Sequence, residues 1–253
     1  MILHPIIFEI GNFAVYSYGL MLALGAALAV VLTLREAKKE GISEEVILDI
    51  SILAILSGVI GSRLFYVFFY EWDYYHYHPW QILNLRSEGL VFYGAFIFGL
   101  ITLLLYVRYK KLNPWKLLDL FSPYLALGYA IARIGCFLNG CCYGKPTSLP
   151  WGVVFPDLDP IPRHPTQIYS TILSLALFAI LKWLFPRRKF NGEVFLVFLL
   201  GYSGGRFINE FFRENLEIFP GMTIGQGISL LIFVAAAIIT FVILRKKRMS
   251  KDS

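Results

Sequence analysis

The chain has 253 residues, of which 57% are hydrophobic and only 16% charged, with a net charge of +6. A soluble domain of this length carries about a quarter charged residues, so the composition, with a mean hydropathy of +0.64, excludes an ordinary soluble enzyme and indicates an integral membrane protein. The positive balance does not indicate nucleic acid, because the basic residues cluster at the ends of apolar blocks, which is a topology signal.

Residues 1–13 lack the basic stretch that opens a cleavable signal peptide. Beyond them the apolar residues fall in blocks of about 20, the length that crosses ~30 Å of hydrocarbon. The blocks predict helices over residues 14–34, 46–70, 89–107, 117–135, 166–185, 193–210 and 223–244. The expected fold is therefore all-α, with about seven transmembrane helices in a single membrane domain over residues 1–253. Residues 71–80, EWDYYHYHPW, have the composition of an interfacial aromatic belt. They predict a membrane-surface arm at about 71–88 rather than a metal site on His76 and His78. Residues 136–165 form a Pro-rich loop between the fourth and fifth spans.

Basic residues orient the chain. Sixteen of the 23 Lys and Arg residues fall after spans one, three and five (Lys182 grouped with the last of these) and in the tail. The other side holds Arg86, Lys145, Arg163 and Arg213, and Arg63, Arg133 and Arg206 lie within spans. The excess of positive charge belongs inside, so the N-terminus is expected outside, the C-terminus in the cytoplasm and the 136–165 loop outside.

Charges within spans are costly and point to function. Arg206 and Glu210 are four residues apart and share a helix face; alone, they read equally as a lock between helices. Arg133 lies near the same outer end, and Arg213 follows Arg206, so guanidiniums gather where only Glu210, then Glu214 and Glu217, balance them. Arginine suits bidentate phosphate recognition, and an anionic lipid headgroup is the natural ligand. Arg63 lies mid-span and reads either as a cavity residue or as one that snorkels to an interface. Tyr18 and Tyr202 need partners for their hydroxyls. Tyr93, flanked by glycines, is a candidate base that needs a neighbouring cation to lower its phenol. Asn139 reads as a headgroup ligand or, with Gly140, as a helix cap. Cys136, Cys141 and Cys142 read as metal ligands, a disulfide with one thiol left over, or small apolar fillers. Metal is disfavoured because C-x4-C-C lacks a matching second pair.

These residues occur in stretches that resemble the bacterial prolipoprotein diacylglyceryl transferase family. The stretches are YGLM from Tyr18, GLVFYG from Gly89, RIGCFLNG from Arg133, WGVVFP from Trp151, RHPTQIY from Arg163, GYSGGR from Gly201 and EFFR from Glu210. They run in the family's order along nearly the whole chain. The resemblance implies transfer of diacylglyceryl from phosphatidylglycerol to the lipobox cysteine thiol of prolipoproteins, with release of glycerol phosphate and without metal or organic cofactor. It implies that Arg133 and Arg206 handle the phosphoglycerol headgroup, with Tyr18, Asn139, Gly144, Tyr202 and Glu210 around them. Arg63, Arg163 and His164 are added to the substrate-binding set, and Tyr93 to the catalytic one. The implied partners are phosphatidylglycerol, signal peptides of prolipoproteins and the bilayer. The implied location is the bacterial cytoplasmic membrane, with the site toward the outer leaflet. The chain departs from the family at Tyr93, Cys136 and Cys141, where His, Asn and Glu are common. Two rival classes are a membrane thiol oxidoreductase using the three cysteines, which would need a second reactive pair or a quinone, and a non-enzymatic lipid transporter.

The charge distribution yields a topology test. A reporter fused after Ser253 should read cytoplasmic, and one inserted near Asp157 should read extracytoplasmic; the opposite pattern would reverse the placement of the loop.

Overall fold

The computed structural model describes residues 4–10, 13–84, 92–156, 158–214, 217–219 and 222–252. They divide into two compact units, residues 33–114 forming one and residues 1–32 with 115–253 the other. Among the described residues the fold is all-α apart from two small hairpins. Five helices among them are long and apolar enough to cross a membrane, at 17–39, 44–69, 114–138, 166–187 and 224–247. Large apolar side chains on them face outward, Leu231 at 73% and Trp183 at 61% exposure, as expected of helices whose solvent is lipid. Two further predicted spans are helical with less apolar length. One is apolar over Gly94–Tyr109; the other has 18 residues and carries Glu193, Arg206 and Glu210.

The unit of residues 33–114 is built on two helices, α2 (Glu44–Phe69) and α4 (Phe92–Tyr109). Glu44 and Glu45 lie in the first turn of α2, where acidic side chains favour the helix dipole. The two helices touch at Gly61 and Gly94, where a Cβ on either glycine would overlap the other's backbone. Small residues permit that approach. The Tyr106 hydroxyl donates to Asp49 Oδ2 at 2.7 Å and pins the same pair. The predicted arm takes the form of α3 (Trp72–Tyr77) and a 3-10 turn over Pro79–Leu83; residues 85–88 lie outside the described residues.

The other unit begins with a hairpin that periodicity alone did not predict. β1 (Ile6–Ile10) pairs antiparallel with β2 (Phe13–Tyr16), with Phe8 opposite Val15 and Ile10 opposite Phe13. The sequence signal is Gly11-Asn12 between two apolar runs. Helix α1 (Ser17–Lys39) follows directly, and its first part packs on α5 (Pro114–Leu138) where Gly25 meets Gly128. After α5 come α6 (Thr166–Leu184) and α7 (Glu193–Glu210), then a second short hairpin of β3 (Glu217–Phe219) and β4 (Met222–Thr223), and last α8 (Ile224–Asp252). Helix α1 extends five residues past its predicted end, through Arg35-Glu-Ala-Lys-Lys39. Backbone hydrogen bonding continues where hydropathy stops.

Loop 139–165 folds over its own small core. Phe155, 1% exposed, packs edge-on against Phe137 at 6.3 Å between centroids, with Tyr143, Val153 and Ile168 around it. Backbone bonds close the loop: Val153 and Arg163 exchange N–H and carbonyl at 3.0 and 2.9 Å, and Gly144 N–H donates to His164 O at 2.9 Å.

At the other end of α5, the buried Asp119 receives Gly192 N–H at 2.7 Å and Phe195 N–H at 2.8 Å. The carboxylate thus satisfies donors at the start of α7 that have no partner within the helix. Asp119→Ala leaves those donors buried and unmet, at about 1–3 kcal/mol. The expected outcome is a lower melting temperature in detergent, with Asp119→Asn intermediate.

Candidate active site

Tyr202, Arg206 and Glu210 stand four residues apart on α7, one face in successive turns. Glu210 is 2% exposed. Its Oε2 lies 3.3 Å from Arg206 Nη2 and 3.9 Å from Arg213 Nε, and its Oε1 accepts from the Thr223 hydroxyl at 3.2 Å. Gly225 makes the space: a Cβ there would stand 2.6 Å from Oε1. The predicted Arg206–Glu210 pair therefore forms, and a second arginine shares it.

Helix α5 brings the other cation. Arg133 lies over the ring of Tyr129, its Cζ 4.7 Å from the centroid. Tyr129 in turn meets the Tyr202 ring edge-on at 5.3 Å. Tyr129, Ser170, Ser174, Tyr202, Gly205 and Arg206 line a small cavity of about 20 Å³ between α5, α6 and α7. Arg213, just past α7, records the crowding of charge. Burial and then the Arg206 guanidinium lower its pKa, with Arg133 adding to the effect and Cys142 and Glu210 opposing it. Two guanidiniums thus share the buried Glu210 carboxylate, and a third, Arg133, stands near enough to act on Arg213. The surplus positive charge in an apolar setting is a site for an anion, and the planar forks suit phosphate.

The loop reaches the same place through Gly144. That residue is buried and bridges to Arg213, and any side chain on it would strike Phe212 O, His164 and Thr166. Asn139 follows the last turn of α5, its N–H donating to Gly135 O at 2.9 Å. Tyr18, second residue of α1, packs its backbone on Gly135, where a Cβ would meet Tyr18 Cα at 3.2 Å. Tyr18, Arg133, Asn139, Gly144, Tyr202, Arg206 and Glu210 all belong to this unit.

Helix α5 ends in a left-handed residue, Gly140 (φ 70°), with Cys141 N–H returning to Cys136 O at 3.1 Å. That closure sets Cys136, Cys141 and Cys142 together as free thiols, their sulfurs within 4.8 Å of one another. Among the three, hydrogen bonds from Cys136 and Cys141 lower Cys142, aided by Arg133 and Arg213. Cys141 is raised, first by its bond to Cys136.

Other predicted residues have different surroundings. Arg163 is buried, with Nη2 2.7 Å from Asp159 Oδ2, Nη1 on Glu214 and Gly144 O, and its guanidinium over Tyr143. It clasps the loop. His164 Nδ1 lies 3.0 Å from the Tyr169 hydroxyl, which also accepts from Trp151 Nε1 at 2.9 Å. Arg63 belongs to the 33–114 unit and is buried there. Its Nε donates to Ile82 O at 3.0 Å, and its Nη2 to Gln81 O and the Tyr75 hydroxyl at 2.9 and 3.0 Å. It neither snorkels nor stands open; it holds the arm. Tyr93 lies in the first turn of α4, with its side chain outside the described residues.

Tyr129 and Thr223 were missing from the predicted site, whereas Arg213 was already expected in the arginine cluster. Tyr129 was legible, being four residues before Arg133 and so on its face. Thr223 was not, because only the return of α8 brings it to Glu210.

The Arg163 clasp has a pH signature. Its hydrogen bond to Asp159 holds that carboxyl below its ordinary value of 3.8. The clasp therefore contributes fully above that value and is lost as pH falls through the lowered one. The fluorescence difference between the parent and Trp151→Phe, followed down through the carboxylate range, should show a loop transition that Asp159→Asn abolishes.

The family model described as prolipoprotein diacylglyceryl transferase matches residues 5–242. A phosphatidylglycerol–prolipoprotein diacylglyceryl transferase of Clostridium tetani is 40% identical over 215 residues, covering 83% of this chain and 86% of that protein. Proteins with the same name from Finegoldia magna and Streptococcus uberis are 36% and 35% identical, the first covering 92% of both chains and the second 96% of both.

Proposed function

This chain belongs to the prolipoprotein diacylglyceryl transferase family, and from that premise we propose that it moves diacylglyceryl from phosphatidylglycerol to the lipobox cysteine of prolipoproteins. The observation that carries the reading is the pairing of Arg206 and Arg213 with the buried Glu210, with Arg133 on the Tyr129 ring nearby, beside a small cavity between α5, α6 and α7.

The reaction breaks the bond between glycerol C3 and the phosphate oxygen as the thiolate sulfur attacks that carbon. The leaving group is glycerol phosphate, whose phosphate gains negative charge in the transition state. Guanidiniums fixed at that oxygen stabilise the transition state more than the ground state, which is what accelerates a reaction. Arg133 and Arg206 take this role. Tyr129 aims Arg133 by its ring, and Glu210 aims Arg206 and Arg213. Tyr18, Asn139, Gly144 and Tyr202 surround the headgroup. The acceptor thiol, with an ordinary pKa near 8.5, needs only modest help from the positive field, with Tyr93 as the candidate base. Arg163 and His164 support the site by ordering the loop.

In this reading the chain is one integral domain of the bacterial cytoplasmic membrane with seven spans: α1, α2 and α4 to α8. The N-terminus is outside and the C-terminus inside, as the distribution of Lys and Arg supports. The arm at 71–88 lies on the membrane surface, and loop 136–165 and the site face the outer leaflet, where signal peptides emerge.

The test is transfer of labelled diacylglyceryl from phosphatidylglycerol to a lipobox peptide. Arg133→Lys and Arg206→Lys keep the charge but lose the fork, and each should lower turnover about a hundredfold, the order expected for one contact to developing charge. If Arg206 and Glu210 were only a structural pair, replacing both with leucine would preserve activity, since such pairs are often replaceable. Near-normal transfer by Arg206→Leu/Glu210→Leu would remove Arg206 from the headgroup site.

A further inference from the structure

From the convergence of Cys136, Cys141 and Cys142 we infer that this chain carries a binding site for one thiophilic divalent cation of the zinc class, formed by the three thiolates. The fourth tetrahedral position is left to solvent. The sequence spacing argued against metal because it assumed ligands in two separated pairs. The fold supplies the third ligand differently.

Closure of α5 at Gly140 turns the chain back, so Cys141 stands against the helix end that carries Cys136. Cys142 then takes φ 64°, a left-handed conformation uncommon for any residue with a Cβ. Such a conformation persists only where its surroundings over-determine it, and here they do. The Thr166 hydroxyl donates to Cys142 O at 2.7 Å, and Gln167 Nε2 to Cys141 O at 2.5 Å. Two adjacent residues, which in an extended chain would point their side chains apart, thereby present their sulfurs to one point. The three Sγ atoms lie within 4.8 Å of one another. Zinc–sulfur bonds of about 2.3 Å in tetrahedral geometry set sulfurs about 3.8 Å apart, so a small contraction completes the site.

Charge and chemistry agree with that ligand. Sulfur donors select soft or borderline cations over Mg²⁺ or Ca²⁺. A divalent ion with three thiolates carries a net negative charge, and Arg133, one turn before Cys136 on α5, is a cation beside it. Among the described residues, no His, Asp or Glu joins the three sulfurs as a further ligand, which keeps the fourth position open.

The test uses the full-length chain, reduced and purified in detergent under air-free conditions, with Co²⁺ as probe. The expected result is one Co²⁺ per chain, with sulfur-to-cobalt charge-transfer absorption that Zn²⁺ abolishes. Partners one shell beyond a ligand already matter by about 10- to 100-fold in affinity. Cys136→Ser, Cys141→Ser and Cys142→Ser, each with its melting temperature retained, should therefore weaken Co²⁺ by at least about a hundredfold. A second measurement needs no variant: one equivalent of Cd²⁺ should protect all three cysteines of the parent chain together from alkylation. Absence of saturable binding, binding that survives replacement of all three cysteines, or a disulfide between two of them in the air-free protein would overturn the inference. No transfer assay enters these measurements, so their outcome is separate from that of the proposed reaction.

Discussion

A carboxylate buried among arginines ties together one end of the unit built from α5 to α8. Glu210 has almost no access to solvent, and a charge in that position is tolerable only while its partners remain. Removing one partner of such a group typically costs about 3–5 kcal/mol. The partners come from different parts of the chain: Arg206 one turn back on α7, Arg213 beyond its end, and Thr223 at the turn into α8. Arg213 is also bridged through its backbone to Gly144, so the loop after α5 is tied to the same point. One ionic centre thus sets the end of α7, the start of α8 and the seat of the loop, while leaving guanidinium capacity for a further anion.

The loop shows how a run of residues that looks like a binding motif can act through support. In Arg163-His-Pro-Thr-Gln-Ile-Tyr169, the arginine is held by Asp159, Glu214 and Gly144, and the histidine by Tyr169. Thr166 and Gln167 hold the carbonyls of Cys142 and Cys141. Thr166 and Gln167 secure backbone while Arg163, His164 and Tyr169 tie mainly to side chains of the loop and its neighbours, and the effect is to present Gly144 and the three cysteines in a fixed arrangement beside the arginines. Arg63 does the same for the arm in the other unit, through two carbonyls and a tyrosine hydroxyl. A buried guanidinium with five donors is well suited to such work.

The division between α7 and the other helices has a physical cause too. Its 18 residues include Glu193, Arg206 and Glu210, so it cannot be as apolar as a helix whose only task is to cross lipid. Its charged groups find partners within the protein instead, Glu193 at Lys189 N, and Arg206 and Glu210 with each other, Arg213 and Thr223. The more apolar helices spend their surface on lipid, as the exposed Leu231 and Trp183 illustrate.

Much of this was determined by the sequence alone. Blocks of apolar residues specify membrane helices because the bilayer leaves a backbone few other ways to satisfy its hydrogen bonds. The spacing of Tyr202, Arg206 and Glu210 specifies one face because an α-helix repeats every 3.6 residues. Local rules of this kind also place Tyr129 beneath Arg133. The tertiary structure decided what depends on residues distant in the chain or on turns with no periodicity. It showed that Thr223 and Gly225 frame Glu210, that Arg163 and Arg63 are engaged by carbonyls, carboxylates and a tyrosine hydroxyl, and that Cys136, Cys141 and Cys142 meet. None of these follows from spacing, because each is fixed by the direction in which the chain leaves a helix. At Gly140 and Cys142 that direction is set by left-handed backbone angles and by hydrogen bonds from α6, which only the folded chain brings within reach.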